Sequence, residues 1–253
     1  MDKKNSIARR IMADMTRMRS QPRLFDYCYW TTKNNLVVFK RLLECTKHLR
    51  NSTVIDLGCG NKPFRDLFPI ETNYIGIDFF TESAADILHD FRRGIPIAGS
   101  SADVVILSEA LEHLPNPFLI LAEVDRILRP GGHLFISTPF ALPIHGRPYD
   151  FFRFTEYFYH GLQEHYDLEL VQMNYSNSVF STPLLLLLYI LVPLPLFPYL
   201  LKQAFALLVN GVVAIGDALI NNMMAREGRL VTFTRSFPLG YAALFVKINR
   251  DRS

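Results

Sequence analysis

The chain has 253 residues, 49% hydrophobic and 20% charged, enough apolar material for a large core and too much for a disordered tail. Its three cysteines, Cys28, Cys45 and Cys59, are odd in number and unclustered, which excludes a disulfide framework and a cysteine-based zinc site and favours a reducing compartment. The net charge of +3 is uneven: residues 1–50 carry 12 Lys/Arg against 4 Asp/Glu, and residues 51–253 carry 15 against 20.

Met1 to Ser20 is polar and basic and lacks the apolar core of a secretory signal, so cytoplasmic synthesis and retention are expected. Ile7, Ile11, Met15 and Met18 recur at helical spacing with Arg9, Arg10, Arg17 and Arg19 on other faces, and predict an amphipathic basic helix. Such a helix suits a solvated element packed on the domain or a membrane surface; a nucleic-acid contact fits it least, and no nucleic-acid partner is expected. From residue 53 short apolar runs alternate with helical segments. Thr53–Leu57, Asn73–Asp78, Ala102–Leu107 and His133–Thr138 read as strands, with helices near Pro63–Phe68 and Pro117–Leu128. Thr155–His165 reads as a further helix, and Asp167–Tyr175 and Gly240–Ile248 as strands. The alternation predicts an α/β fold, doubly wound, with a mostly parallel sheet covered by helices on both faces.

The first strand runs through Val54-Ile55-Asp56-Leu57 into Gly58-Cys59-Gly60, where the two glycines allow a sharp turn and close approach of a ligand to the backbone. A dinucleotide fingerprint wants a third glycine, but Pro63 stands there, and Asp56 would repel a pyrophosphate while suiting a cationic ligand. A nicotinamide oxidoreductase is disfavoured accordingly. Eighteen residues after Gly60, Asp78 closes the second strand, where its carboxylate can accept both hydroxyls of a ribose.

Four ordered blocks, VIDLGCG, GIDFF, IPIAGSSADVVILSEALEHLPNP and ILRPGGHLFISTP, resemble the class I S-adenosylmethionine-dependent methyltransferases over residues 50–175 plus the final strand. The resemblance implies a Rossmann-like, seven-stranded sheet and S-adenosylmethionine as cofactor. It implies that Asp56, Gly58, Cys59 and Gly60 line the methionine end, that Asp78 holds the ribose, that Asp90 with Phe91 meets the adenine, and that Ser108 and Glu109 face the sulfonium. Pro130-Gly131-Gly132 fits the family's turn into the fifth strand. No metal is required by this chemistry, because the cofactor supplies the electrophile.

Acceptor-side residues are expected on loops beyond the strands' carboxyl ends. Glu112 and His113 either support the sheet by hydrogen bonds or, in the case of His113, act as a base; His145 stands in a polar and aromatic loop and is the other candidate base. Arg147, Tyr149 and Arg153 are candidate substrate contacts, although Arg153 and Asp150 are also spaced to pair with each other.

From Leu170 to Gly216 the only charged side chain is Lys202, and Tyr175 and Gly240 are separated by about 64 residues where the family has a short turn. Pro183–Val192 is apolar, Pro193, Pro195 and Pro198 interrupt, and Tyr199–Ile220 resumes. Two apolar segments joined by a bend are expected, as a membrane hairpin, a lid over the site, or a buried cap or dimer interface. A single span would strand the last β-strand across the bilayer. The organisation expected is a basic helical segment at 1–50, a methyltransferase domain at 51–175 plus 236–250, and an apolar insert at 176–235. The function expected is methyl transfer to oxygen of a small or lipid-linked acceptor, with surface contact through 5–19 and 183–220 and a peripheral or monotopic position at the cytoplasmic membrane face; the alternative is a non-catalytic module of the same fold.

Overall fold

Seven strands form one sheet in the order β3-β2-β1-β4-β5-β7-β6. They are β1 (Thr53–Leu57), β2 (Asn73–Asp78), β3 (Ile87–Leu88), β4 (Ala102–Ser108), β5 (Leu128–Pro139), β6 (Leu168–Ser176) and β7 (Gly240–Lys247). The helices are α1 (Tyr29–Thr46), α2 (Pro117–Ile127), α3 (Glu156–His165), α4 (Ser181–Leu191) and α5 (Tyr199–Met224). This computed structural model describes residues 14, 16–49, 51–176, 181–192, 198–224 and 237–249.

β1 to β5 are mutually parallel, and β7 runs antiparallel between β5 and β6. Buried at every residue, β4 has the continuous apolar character of a central parallel strand. Alternation along β1, β4 and β5 separates two cores. Val54, Val104, Ile106 and Phe135 face α1, which supplies Val38, Phe39 and Leu42. Ile55, Leu57, Val105, Leu107, Leu134 and Ile136 face α2 and α3, which supply Ile120, Leu121, Val124, Tyr159 and Leu162. Phe39 stacks on Phe64 at 4.5 Å between ring centroids and meets Phe135 edge-on at 5.1 Å. Phe135 is fully buried, so Phe135→Ala is expected to lower stability by about 3–5 kcal/mol in urea unfolding.

The fold agrees with the expected doubly wound sheet, and the differences are local. The helix expected over Pro63–Phe68 is one 3-10 turn, Arg65–Leu67, because Phe64 and Phe68 both turn into the core and Pro69 follows at once. The Pro130-Gly131-Gly132 turn lies inside β5 as an irregularity against β4. Within the segment expected as a separate basic arm, α1 is a sheet-covering helix. Thr16–Ser20 is helical, while the rest of the expected amphipathic helix, including Ile7, Ile11 and Met15, lies outside the described residues.

α4 and α5 pack on each other through Leu185, Leu188, Ala206 and Val213, joined by Leu239 and flanked by Tyr27, Trp30 and Leu142. The Pro193 and Pro195 bend lies outside the described residues, as does 225–236. Buried polar contacts fasten this hairpin to the body. Asn210 donates from Nδ2 to the carbonyls of Leu24 (2.7 Å) and Asp26 (3.0 Å), Trp30 Nε1 donates to the Asn210 carbonyl (3.3 Å), and the Thr31 and Tyr189 hydroxyls lie 3.1 Å apart. The segment Tyr199–Leu219, of mean hydropathy 1.5, is long and apolar enough to cross a membrane. Its outward positions are Tyr199, Leu200, Leu201, Ala204, Leu207, Leu208, Val212, Ile215, Ala218 and Leu219, none of them charged.

Candidate active site

β1 ends in a turn that only glycine enters without strain: Gly58 and Gly60 have φ of +72° and +50°, and a Cβ on Gly58 would stand 2.9 Å from Cβ of Ala110. β2 delivers Asp78 alongside. Its two carboxylate oxygens accept from the backbone N–H groups of Gly60 (2.9 Å) and Phe80 (3.0 Å), so the turn orients an anion that is only 5% exposed. Around them lies a cavity of about 300 Å³ lined by Gly58, Gly60, Asp78, Phe79, Phe91 and Glu109, with Arg92 and Tyr149 at its edge.

Of the expected cofactor residues, Gly58, Gly60, Asp78, Phe91 and Glu109 therefore share one cavity. Ser108 lines the adjoining one, and Asp56, Cys59 and Asp90 line neither. Asp56 is turned inward onto the Tyr74 hydroxyl, and burial pushes its carboxyl up to about 7 against that hydrogen bond. Asp90 caps the 3-10 turn after it and is held by the Arg92 guanidinium, which keeps its carboxyl below the ordinary value.

The adjoining cavity, about 380 Å³, is walled by Tyr27, Thr31 and Asn35 from the N-terminal side, by Tyr189 of α4, and by the loop Leu142–His145. The two cavities share Arg19, Glu109 and His113. Glu109 stands at the end of β4 with φ +51°, outside the region an ordinary side chain prefers. Burial and the nearby Glu112 raise its carboxyl above the usual range.

The two histidines come together here, with ring centroids 5.0 Å apart. His113 closes the 3-10 turn Leu111–His113, and its Nδ1 pairs with the Tyr149 carbonyl. His145 Nδ1 lies 3.2 Å from the Pro143 carbonyl, and Glu112 raises its imidazole above the ordinary value. Glu112 is fully buried between the rings, with its Oε1 3.7 Å from Nε2 of each. Gly146 permits this approach, since a Cβ there would meet His113 at 2.8 Å.

The three expected substrate residues fall elsewhere. Arg153 grips Asp150 (2.8 Å) and the carbonyls of Leu142 and Pro143, bracing the loop and holding the Asp150 carboxyl down to about 2. Tyr149 borders the first cavity, and Arg147 is exposed and lines neither.

The sequence profile of a family described as a methyltransferase domain matches residues 30–172. The chain is 30% identical over 135 residues to a protein of Mycolicibacterium smegmatis named as a probable S-adenosylmethionine-dependent methyltransferase, covering 49% of this chain and 51% of that one. It is 33% identical over 106 residues to a ubiquinone biosynthesis O-methyltransferase of Cupriavidus pinatubonensis, covering 36% and 42%. The matches thus span about half the length of these curated relatives. A solved SAM-dependent methyltransferase of Archaeoglobus fulgidus is similar in fold, with a TM-score of 0.51 at 15% identity, over 85% of this chain and 94% of that one.

Proposed function

Because the chain belongs to the class I S-adenosylmethionine-dependent methyltransferases, we propose that it moves the cofactor's methyl group to an oxygen of a lipid-linked or similarly apolar acceptor presented at a membrane surface. The observation that carries this reading is the second cavity, which shares Arg19, Glu109 and His113 with the first and takes Tyr189 of the apolar hairpin into its wall.

The first cavity suits the cofactor chemically. Gly58 and Gly60 keep side chains out of the turn, and the buried Asp78 carboxylate, already oriented by two backbone donors, has lone pairs left for ribose hydroxyls. Phe79 and Phe91 supply apolar walls for a nucleobase, and Glu109 puts a carboxylate near the cationic end. When bound, S-adenosylmethionine supplies a methyl carbon activated by a sulfonium, so the chain's work is to position the acceptor and exclude water. A hydroxyl acceptor must lose its proton close to the transition state, and assistance there contributes about 10²–10⁴-fold. His113 and His145 line the second cavity with Glu112 buried against both rings, and these are the groups able to assist.

Two findings support the finer points. Relatives at about 30% identity are named for oxygen methylation, and the outward face of α5 carries no charge from Tyr199 to Leu219. The hairpin lies in the plane of the interface, because Asn210 ties the middle of α5 to the body and β6 and β7, on either side of it in the chain, are neighbours in one sheet. The basic residues of 5–19 add attraction to anionic lipid, about 1 kcal/mol for each Lys or Arg near the surface. In this reading the protein works at the cytoplasmic face of the membrane. Incubation with methyl-labelled cofactor and separate lipid and aqueous cell extracts tests the reading. Label is expected in an organic-phase ether or ester; label confined to water-soluble products, or to nitrogen or carbon, overturns it.

A further inference from the structure

We propose that Glu112, His113 and His145 bind a divalent transition metal of the zinc class at the junction of the two cavities, with an open position facing the acceptor. The inference rests on the oxygen-methylation reading and deepens it, assigning to the same three groups a metal ion through which they assist.

Glu112 is the first argument. It is 0% exposed, and neither of its carboxylate oxygens has a hydrogen-bond partner. A buried carboxylate without hydrogen bonds is costly unless a cation is close. Among the described residues, the only basic groups within 4 Å of it are the two imidazoles, at 3.7 Å from Oε1, too far for a hydrogen bond.

The imidazoles are the second. Each is turned the same way, with Nδ1 on a backbone carbonyl, that of Tyr149 for His113 and that of Pro143 for His145. A carbonyl only accepts, so each Nδ1 carries a proton and each Nε2 is the ring nitrogen that faces Glu112, a lone-pair ligand whenever the ring is neutral. Metal-bound histidines are oriented in this way, the distal N–H fixed by a backbone carbonyl or carboxylate. Protonated, the same two rings would form ion pairs with Glu112 at 3.7 Å, and His145 Nδ1 also faces the Asp150 carboxylate at 3.6 Å, so metal titration is what separates a metal site from an ion-pair cluster.

Distance and donor type are the third. The three ligand atoms lie within 4.8 Å of one another. Bonds of about 2.0–2.2 Å in a tetrahedral site separate ligand atoms by roughly 3.3–3.6 Å, so the two carboxylate–imidazole pairs must close by a few tenths of an ångström from 3.7 Å and the imidazole pair, within 4.8 Å, by up to about an ångström. Two imidazoles and one carboxylate with a fourth position free form a donor set suited to catalytic zinc. The scaffold is braced to hold them. Glu112 and His113 share one 3-10 turn, and the His145 backbone N–H is fixed at 2.9 Å by Asp150, which Arg153 holds.

An acceptor hydroxyl that enters the free position is made more acidic by the metal and releases its proton to water. Its oxygen lone pair then forms the bond to the methyl carbon as the carbon–sulfur bond breaks, the electron pair staying on sulfur. The product ether or ester oxygen is a weaker ligand and departs.

The full chain, dialysed against chelator and titrated with Co²⁺ and then Zn²⁺, tests this. One cobalt per chain is expected, with the intense visible absorption of a tetrahedral site, displaced by Zn²⁺. His145→Ala, a change in a partly exposed loop, and Glu112→Gln, which preserves shape, should each weaken metal binding by at least about 100-fold, while calorimetry shows S-adenosylmethionine binding retained as proof of folding. Cobalt that binds the wild type no tighter than His145→Ala, or a weak octahedral spectrum, overturns the site. A rate of methyl transfer unchanged by metal removal overturns its role as activator. A tetrahedral cobalt spectrum in a protein that methylates no oxygen acceptor sinks the proposed function and leaves the metal site standing.

Discussion

Replacing Asp78 with alanine is expected to weaken S-adenosylmethionine binding by about 10²–10³-fold in calorimetry. The carboxylate is buried at 5% exposure and preset by Gly60 and Phe80, so a ribose pays little to order it. Hydrogen bonds to a charged group contribute about 1.5–3 kcal/mol each. Two of them correspond to about two to four decades in affinity at 1.4 kcal/mol per decade. Part of the loss in Asp78→Ala comes from the Gly60 turn, which gives up its acceptor, and Asp78→Asn separates the two contributions. The amide retains one acceptor oxygen for the turn or the ribose and should bind at an intermediate level. Affinity untouched by Asp78→Ala would mean that the first cavity is not the cofactor site, and the enzymatic reading would go with it.

The second large effect concerns the hairpin. The double substitution Leu208→Glu with Ile215→Glu is expected to release the protein from anionic liposomes in flotation, shifting partition by at least about 100-fold. Both side chains are 65% exposed and touch none of the buried contacts that fasten α5, so the fold and the cofactor affinity should be unchanged. The cost is large because a carboxylate at hydrocarbon depth is unfavourable by about 2.5–3.5 kcal/mol and each lost aliphatic removes a further favourable contribution. Raising salt should weaken the part owed to basic residues and leave the part owed to leucine. Should the wild type stay with the soluble fraction, the membrane reading is wrong, and the apolar face belongs to a second copy of the chain or a protein partner.

Much of the sheet is legible in the residues themselves. β1, β4 and β5 are apolar runs bounded by polar or glycine turns, and Gly58, Gly60 and Asp78 mark one end of the site by spacing alone. β3, at two residues, is too short to carry any period. The sheet-covering role of α1 is obscured by its basic surroundings, since Lys33, Lys40 and Arg41 share the helix with Val38, Phe39 and Leu42. What local sequence does not carry is the second cavity. Its walls come from Arg19, Tyr27, Thr31, Asn35, Ser108, His145 and Tyr189, and only tertiary packing brings these together. Glu112 is the sharpest case. In the chain it is one acidic residue on a polar turn, and only the fold reveals that it is sealed from solvent between two imidazoles.

The place of β7 has a consequence in time. It is made after every other strand yet lies between β5 and β6, hydrogen-bonded along both edges. In the finished sheet β5 and β6 are not neighbours and stand one strand apart, about 10 Å. At about 5–20 residues per second of synthesis, the ribosome adds the stretch between α5 and the end of β7 on the order of seconds after the hairpin itself. Through that interval the nascent chain presents two open sheet edges and a greasy hairpin with no completed body to rest on. The sheet is therefore closed by a late strand entering at an interior position, and its two inner edges stay open until that strand arrives.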